Sequence, residues 1–421
     1  MMLSQFPQII CFRSILYILP IILILSLFSF GVEAGVDAQW RGPDRDGKYL
    51  DKNLLKKWPS QGPDLIWSAS ELGEGYSSPA VTSESVYITG MIDGTGFLFR
   101  FDLNGKMLWR ASYGPEWDDG HDGARSTPTV VEDKIYLLSC LGRVVCLSTS
   151  DGKIIWEIDL IKSFNARNLE WGMTESLVVD GDRLFCTPGG SNSMLVILDR
   201  LSGKTIKVVK GNGEKSAYAS PSLITHNDKR IIMTMTGESV VGVDAETGEY
   251  LWRQKHKTRY DINPNTPIYH QGYIYAVSGY GTGGQLLKLA SDGKKVEQIW
   301  SDETLDCQKG ATILLDGYIY GSGHDNKGWH CINWKTGEVQ YTAKELGNIG
   351  NIIFADGLLY CYSERGDVGL VRPNPEKFDV ISSFEITEGS GPHWAHPVIM
   401  DGKLFVRHGD ALMVYDIKSK K

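Results

Sequence analysis

Beyond Phe30 the sequence has no second long apolar run, no cluster of basic residues, no glycine-rich phosphate loop, no Gly-x-Ser-x-Gly elbow and no His-Glu-x-x-His helix. The first absence leaves nothing after the N-terminus to span a bilayer, which takes about 20 apolar residues. The second, together with a formal charge of −8, argues against nucleic acid as a partner, because phosphate binding needs concentrated Lys and Arg. The other three exclude P-loop phosphate binding, α/β-hydrolase catalysis and zinc proteolysis of the usual kinds. Motifs alone therefore assign no catalytic residue and no metal ligand.

What is present begins with Arg13, an apolar run from Ile15 to Phe30, and Val32-Glu33-Ala34, with small residues where a signal peptidase reads. These predict a signal peptide over residues 1–34, cleaved after Ala34, and a periplasmic or secreted mature protein without a membrane span. An uncleaved anchor is the competing reading. Cys11 precedes the apolar run, so no lipoprotein anchor is signalled. Cleavage removes Arg13 and Glu33 together and leaves the charge at −8. Six cysteines remain: Cys140, Cys146, Cys186, Cys307, Cys331 and Cys361. An even count in an exported chain invites disulfides. Cys146 and Cys331 share one position of a repeat, however, and Cys186 and Cys361 another, which favours small apolar packing residues over bridges, with one bridge left open.

The chain carries 47 glycines and a Tyr/Trp/Val/Ile-rich texture suited to short strands and tight turns. Aligned on itself it repeats one phrase: Ser/Thr-Pro-x-Val, a turn, an aromatic-rich strand, a glycine turn, a third strand, Thr/Ser-x-Gly-Lys/Glu, and Trp. The copy from Ser126-Thr127-Pro128 to Trp156 shows it whole. Pro79 and Pro128 are 49 residues apart and Pro221 and Pro267 are 46 apart, the spacing of four-stranded propeller blades. Proline fits a strand start because it cannot donate to a ladder. A period-2 apolar pattern fills the space between sheets. In the third copy Ser176 is read in place of the proline.

The last copy stops at Leu412–Ile417, after its third strand, while Asp64-Leu65-Ile66-Trp67 reads as an orphan fourth strand. The expected fold is therefore all-β: an eight-bladed β-propeller of four-stranded antiparallel blades, closed by an N-terminal strand that completes the last blade. The expected organisation is an N-terminal extension over residues 35–57 and one propeller over 58–421, since propellers run long as one unit.

The repeat resembles that of pyrroloquinoline-quinone (PQQ) dehydrogenases and of the propeller lipoprotein of the outer-membrane β-barrel assembly machinery. Trp40-Arg41-Gly42-Pro43 and the stretch from Gly120 to Pro128 further resemble a broad group of exported bacterial propellers. The resemblance implies the fold, and leaves two functions open: a binding module, or a quinone-dependent oxidoreductase. The latter implies PQQ over a Trp floor, with Ca²⁺ held by carboxylate and amide oxygens. Glu175, Asn192, Glu238, Asp325 and Glu364 are the oxygens on offer, without diagnostic spacing. The adjacent Cys pair of the alcohol-oxidising members is absent, as is any Cys-x-x-Cys-His haem site.

Loops entering the innermost strands and loops joining second to third strands meet at one end of a propeller channel, where ligands belong. They nominate Arg125, Trp171, Tyr218, Tyr280, Lys309, His324, Trp394 and His396 as ligand-binding residues, with Met173, Asn263, Asn265, Asn351, His393 and the stretch Gly189–Asn192 in the same loops. Cations and aromatic faces suit an anionic, planar or sugar-like group. The leading expectation is a monomeric, non-catalytic module that holds a protein or glycan at this mouth. PQQ-dependent oxidation is the alternative, and carbohydrate processing by carboxylates a weaker one. His393-x-x-His396 leads into a strand, so its spacing does not make a metal pair. Asp118–Gly123 reads as an ordinary surface turn and Asp44–Gly47 as a turn.

Overall fold

The computed structural model describes residues 1–2, 37–309 and 312–420, so the expected signal peptide and its cleavage point lie outside the described residues. From residue 37 onward the chain forms eight four-stranded antiparallel sheets, the propeller expected from the repeats. Blade 2 is typical. Its strands are Thr129–Val131, Lys134–Leu138, Arg143–Ser148 and Ile154–Asp159, paired in that order. Blade 8 takes Val398–Met400, Lys403–His408 and Ala411–Asp416 from the C-terminus and Asp64–Ala69 from the N-terminus, with Leu65 opposite Tyr415 and Trp67 opposite Val414.

Each part of the repeated phrase has a visible physical task. Pro79, Pro128, Pro221, Pro267 and Pro397 stand directly before an innermost strand, where a missing N–H costs no ladder bond. The hydroxyl residue before the proline links neighbouring blades. The amide of Ser78 donates to Thr127 Oγ1 at 3.0 Å, that of Thr127 to Ser176 Oγ at 3.0 Å, and that of Ser176 to Ser220 Oγ at 2.9 Å. This chain of bonds corrects one reading of the sequence: Ser176 occupies the hydroxyl position, and Leu177 takes the place of the proline.

The terminal Trp and the glycine of the turn form a second link. The Nε1–H of Trp109 donates to Thr149 O at 3.1 Å, that of Trp156 to Arg200 O at 2.9 Å, and that of Trp300 to Trp334 O at 3.1 Å. Each ring lies against the turn glycine of the next blade. A Cβ on Gly152, Gly203 or Gly337 would come within 2.9, 2.6 or 2.8 Å of the respective indole. Glycine is needed there for close approach as well as for its positive φ.

Middle strands depart from the simple period of two. Ile135–Leu138 and Val144–Leu147 are buried at every position, whereas the outer strand Ile154–Asp159 has no fully buried residue. A blade has a neighbour on both faces, so its inner strands are covered on both sides. The core is accordingly a series of layers between blades: Tyr136 and Cys146 of blade 2 pack with Leu184, Cys186 and Val196 of blade 3. All six described cysteines are buried, and none forms a disulfide. Cys146 lies opposite Tyr136 and Cys331 opposite Tyr320, the same register in two blades, as the repeat alignment requires.

Residues 38–49 run through the channel and join blades across it. Ala38 bridges to Val130 of blade 2, and Lys48–Tyr49 adds a short parallel strand to Gly350–Ala355 of blade 7. Between them Arg41 donates to Thr312 O of blade 6 at 2.9 Å, and Arg45 to Leu177 O of blade 3 at 3.1 Å. Both guanidiniums are buried, and desolvation lowers their pKa, that of Arg45 to about 10. The turn expected at Asp44–Gly47 is present, and it places Arg45 inside the molecule.

Candidate ligand pocket at the channel mouth

One position of the repeat recurs around the mouth. Three residues before the proline of the phrase, or before Leu177 in blade 3, the chain supplies Tyr76, Arg125, Thr174, Tyr218, Pro264 and Trp394, and all six line one cavity of about 560 Å³. Loops between second and third strands add Tyr280, His324 and Glu364. All eight residues nominated from the sequence, Arg125, Trp171, Tyr218, Tyr280, Lys309, His324, Trp394 and His396, line this cavity.

The floor is closed. Trp40, carried by the channel segment, meets His396 edge-on with ring centroids 5.3 Å apart. His396 Nδ1 faces Arg41 Nη1 at 3.3 Å and its Nε2 lies 2.7 Å from Lys309 O. Arg41 can only donate, so Nδ1 is the acceptor and Nε2–H the donor, which sets the neutral tautomer. Burial, reinforced by Arg41, pushes the His396 pKa down to about 3. The cavity is thus blind, with a neutral imidazole and an indole at its base.

The walls carry charge in two different states. Lys309 Nζ sits 4.3 Å over the Trp394 ring and 2.7 Å from Glu364 Oε1, and Trp394 Nε1 donates to the same carboxylate oxygen at 2.8 Å. Lys309 is therefore neutralised in place. Arg125 donates to the carbonyl of Trp171 and, at 2.6 Å, to that of His121. Among the described residues no carboxylate pairs with it, so its charge faces the cavity uncompensated. Tyr218 OH accepts from the Trp171 amide at 3.2 Å, and burial raises its pKa to about 12. The Tyr280 ring meets His324 at 4.7 Å, and Gln308 Nε2 donates to Tyr280 OH at 2.6 Å.

Several lining residues were not nominated from the sequence. Trp40 lies in the extension, and His121 in the segment read as an ordinary turn; its ring stands 5.4 Å from Trp171 and 5.2 Å from Trp394. Tyr76 occupies the same repeat position as Arg125 and Tyr218, and that periodicity was the signal available for it. Asp306 is the hidden organiser: its carboxylate accepts the amides of Gly281, His324, Asp325 and Asn326 at 2.8–3.1 Å, fixing both loops that present Tyr280 and His324.

Other nominated loop residues serve the scaffold. Asn263 donates to Thr236 O at 2.8 Å and His256 O at 3.0 Å, Asn265 to Cys307 O at 2.7 Å, and Asn351 to Trp394 O at 2.8 Å. His393 bonds Tyr362 OH at 2.7 Å and stacks on His408 with centroids 3.6 Å apart, outside the cavity.

The oxygens on offer for a Ca²⁺-bound quinone do not converge. Glu175 is buried against Thr187, Asn192 lines a separate cavity, Glu238 pairs with Lys257 at 2.6 Å, and Glu364 is held by Lys309. Asp306, His324 and Asp325 bring ligand atoms within 4.8 Å of one another. Both Asp306 oxygens, however, are already committed to four backbone amides. The residues present therefore do not fit a calcium–quinone pair, although the aromatic walls suit a planar group.

The sequence model of the family described as outer membrane protein assembly factor BamB matches residues 94–343. The chain belongs to that family. Among solved structures, this BamB-family propeller is similar to BamB from Moraxella catarrhalis, with a TM-score of 0.60 and 15% identity, covering 85% of this chain and 98% of that one. It is also similar to a europium-containing methanol dehydrogenase, with a TM-score of 0.65 and 12% identity, covering 89% and 90%. At such identities the likeness carries the fold alone. Among curated proteins, the quinoprotein alcohol dehydrogenase PedH of Pseudomonas putida is 24% identical over 235 residues, 52% of this chain and 36% of that protein. The BamB-family chain thus aligns with little more than a third of the length of that relative. Among the described residues no helix is long and apolar enough to cross a membrane.

Proposed function

We propose that the protein is an exported binding module that seats an acidic, planar or aromatic group, presented by a polypeptide partner, in the mouth of its channel. The observation that carries this reading is the blind aromatic cavity of about 560 Å³ whose one uncompensated charge is Arg125. Aromatic faces bury a planar group, and a guanidinium without a carboxylate partner supplies the complementary charge. The family description as an assembly factor for outer membrane proteins supports a protein partner. Export rests on the N-terminal pattern, and the mature chain should begin at Gly35, as N-terminal sequencing or intact mass will read.

Quinone-dependent oxidation is the second reading, favoured by the alcohol dehydrogenase relative. The two separate on titration with PQQ, with and without Ca²⁺, followed by Trp fluorescence and by dye reduction with simple alcohols. A binding module gives no Ca²⁺-dependent turnover. Alcohol-driven dye reduction that requires both PQQ and Ca²⁺ would replace the binding reading with the oxidoreductase.

A further inference from the structure

Blade 3 carries a second cavity, away from the mouth, whose chemistry differs from the first. It lies between the segment after the one-turn helix Leu160–Phe164 and the loop Gly189–Ser193, has a volume of about 310 Å³, and is lined by ten residues. Two are cations, Arg167 and Lys215. The others are glycine, serine, asparagine and one alanine, so no carboxylate and no ring lines the cavity.

Local structure keeps these cations unpaired. Asp159 caps the helix by accepting from Lys162 N at 2.9 Å, and Asn165 ends it in the left-handed region at φ 51°, which turns the chain toward the loop. Gly189 and Gly190 follow at φ 81° and 100°. A Cβ on Gly189 would fall 2.2 Å from Ser216 N, so only glycine lets the two segments close. Ser193 Oγ satisfies the carbonyls of Phe164 and Gly189 at 3.1 and 3.2 Å, and the Gly190 amide bonds Glu214 O at 2.7 Å. Among the described residues the amides of Ser191 and Asn192 have no hydrogen-bond acceptor.

Glu214, next to Lys215, is turned away. Glu214 accepts from Ser239 Oγ at 3.1 Å and from Arg253 Nε at 2.5 Å, and its carboxylate is also bonded by Thr236 Oγ1. Among the described residues the side chains of Arg167 and Lys215 have no hydrogen-bond or ion-pair partner. Two cations, free amides and neutral hydroxyl and amide side chains with no competing carboxylate form a donor-rich recess.

We infer that this recess is an oxyanion site for a phosphate or sulfate group, distinct from the channel mouth. The volume exceeds that of a bare oxyanion, which leaves room for a polar carrier such as a sugar or a lipid head group. The site acts by charge-assisted hydrogen bonds from Arg167 and Lys215, so its occupancy falls as salt rises.

The test uses the mature protein at low ionic strength, titrated calorimetrically with inorganic phosphate and with sodium sulfate. Three variants accompany it: Arg167→Ala/Lys215→Ala, the conservative Arg167→Lys/Lys215→Arg, and Arg125→Ala at the mouth. The proposal expects saturable binding in the wild type, weakened about tenfold or more in the double alanine variant. It expects binding largely retained in the conservative pair and unchanged in Arg125→Ala. Both lost side chains are exposed, so unchanged melting curves will show that the fold is intact. Glucose 6-phosphate and phosphatidylglycerol vesicles then distinguish a soluble carrier from a lipid one. Absence of saturable binding of either ion, equal binding by the double alanine variant, or loss in Arg125→Ala would overturn the assignment.

Discussion

Trp67, on the strand that closes the ring, lies against Gly105 of blade 1 and donates its Nε1–H to Leu103 O at 3.1 Å. A Cβ on Gly105 would stand 2.6 Å from the indole, and its φ is 86°. The contact repeats, at the seam between the chain ends, the Trp–Gly docking found between continuous blades. Closure therefore uses the same interaction as the rest of the ring, and it removes the two open edges that an unclosed propeller would carry.

Gly105→Ala is expected to keep the fold and to lose about 1–3 kcal/mol, from left-handed strain and displacement of the Trp67 ring. Urea denaturation measures this. The neutral comparison is Gly357→Ala, whose Cβ would meet nothing within 4 Å, so that strain alone acts. Equal losses at both positions would show that the docked indole contributes nothing.

The cysteines give a second expectation. All six in the described chain are buried and outside any disulfide, and burial raises the thiols of Cys146 and Cys331 to a pKa of about 12. A thiol reagent should find no reactive group in the folded mature protein and six after unfolding without reductant. Four thiols on unfolding would reveal one bridge.

The architecture was largely legible because blade packing imposes it on every copy. A Trp needs a glycine to lie on, and a strand start tolerates proline, so both recur at readable spacing. The missing fourth strand after Ile417 and the orphan Leu65–Trp67 could be matched by counting. Blade 3 was harder to read, since Leu177 replaces the proline and Lys207, opposite Ile197 on the outer strand, replaces the Trp, which left Ser176 misplaced by one position. The mouth residues came from loop position, and Tyr76 was recoverable from the same rule. Trp40, His121 and Asp306 were not, because their places depend on the channel segment and on loop folding, which no repeat encodes. Gly189–Asn192 went to another cavity for the same reason.

Glu175 gives a pH dependence. Burial raises its pKa to about 7, although Thr187 bonds it at 3.1 Å through its amide and Arg45 lies near. A carboxyl whose folded pKa exceeds its unfolded value contributes stability below the unfolded value, near 4.5, and loses it as pH rises through about 7. Wild type should thus lose stability relative to Glu175→Gln between those limits, by on the order of 3 kcal/mol at most. Parallel stability curves for the two proteins would show that Glu175 is ionised throughout. The neutral histidines, His396 among them, act oppositely: their depressed pKa values remove stability as pH falls below about 6.5. The comparison with Glu175→Gln cancels that background.

The mouth itself is tested most directly by selecting short random peptides on the mature wild-type protein and measuring their affinity calorimetrically. The selected peptides should be enriched in Asp or Glu beside Tyr, Phe or Trp. Their binding should weaken about tenfold or more in Arg125→Ala/Trp171→Ala and stay unchanged in Arg167→Ala/Lys215→Ala. Peptides that bind the mouth variant as tightly as wild type would contradict the account.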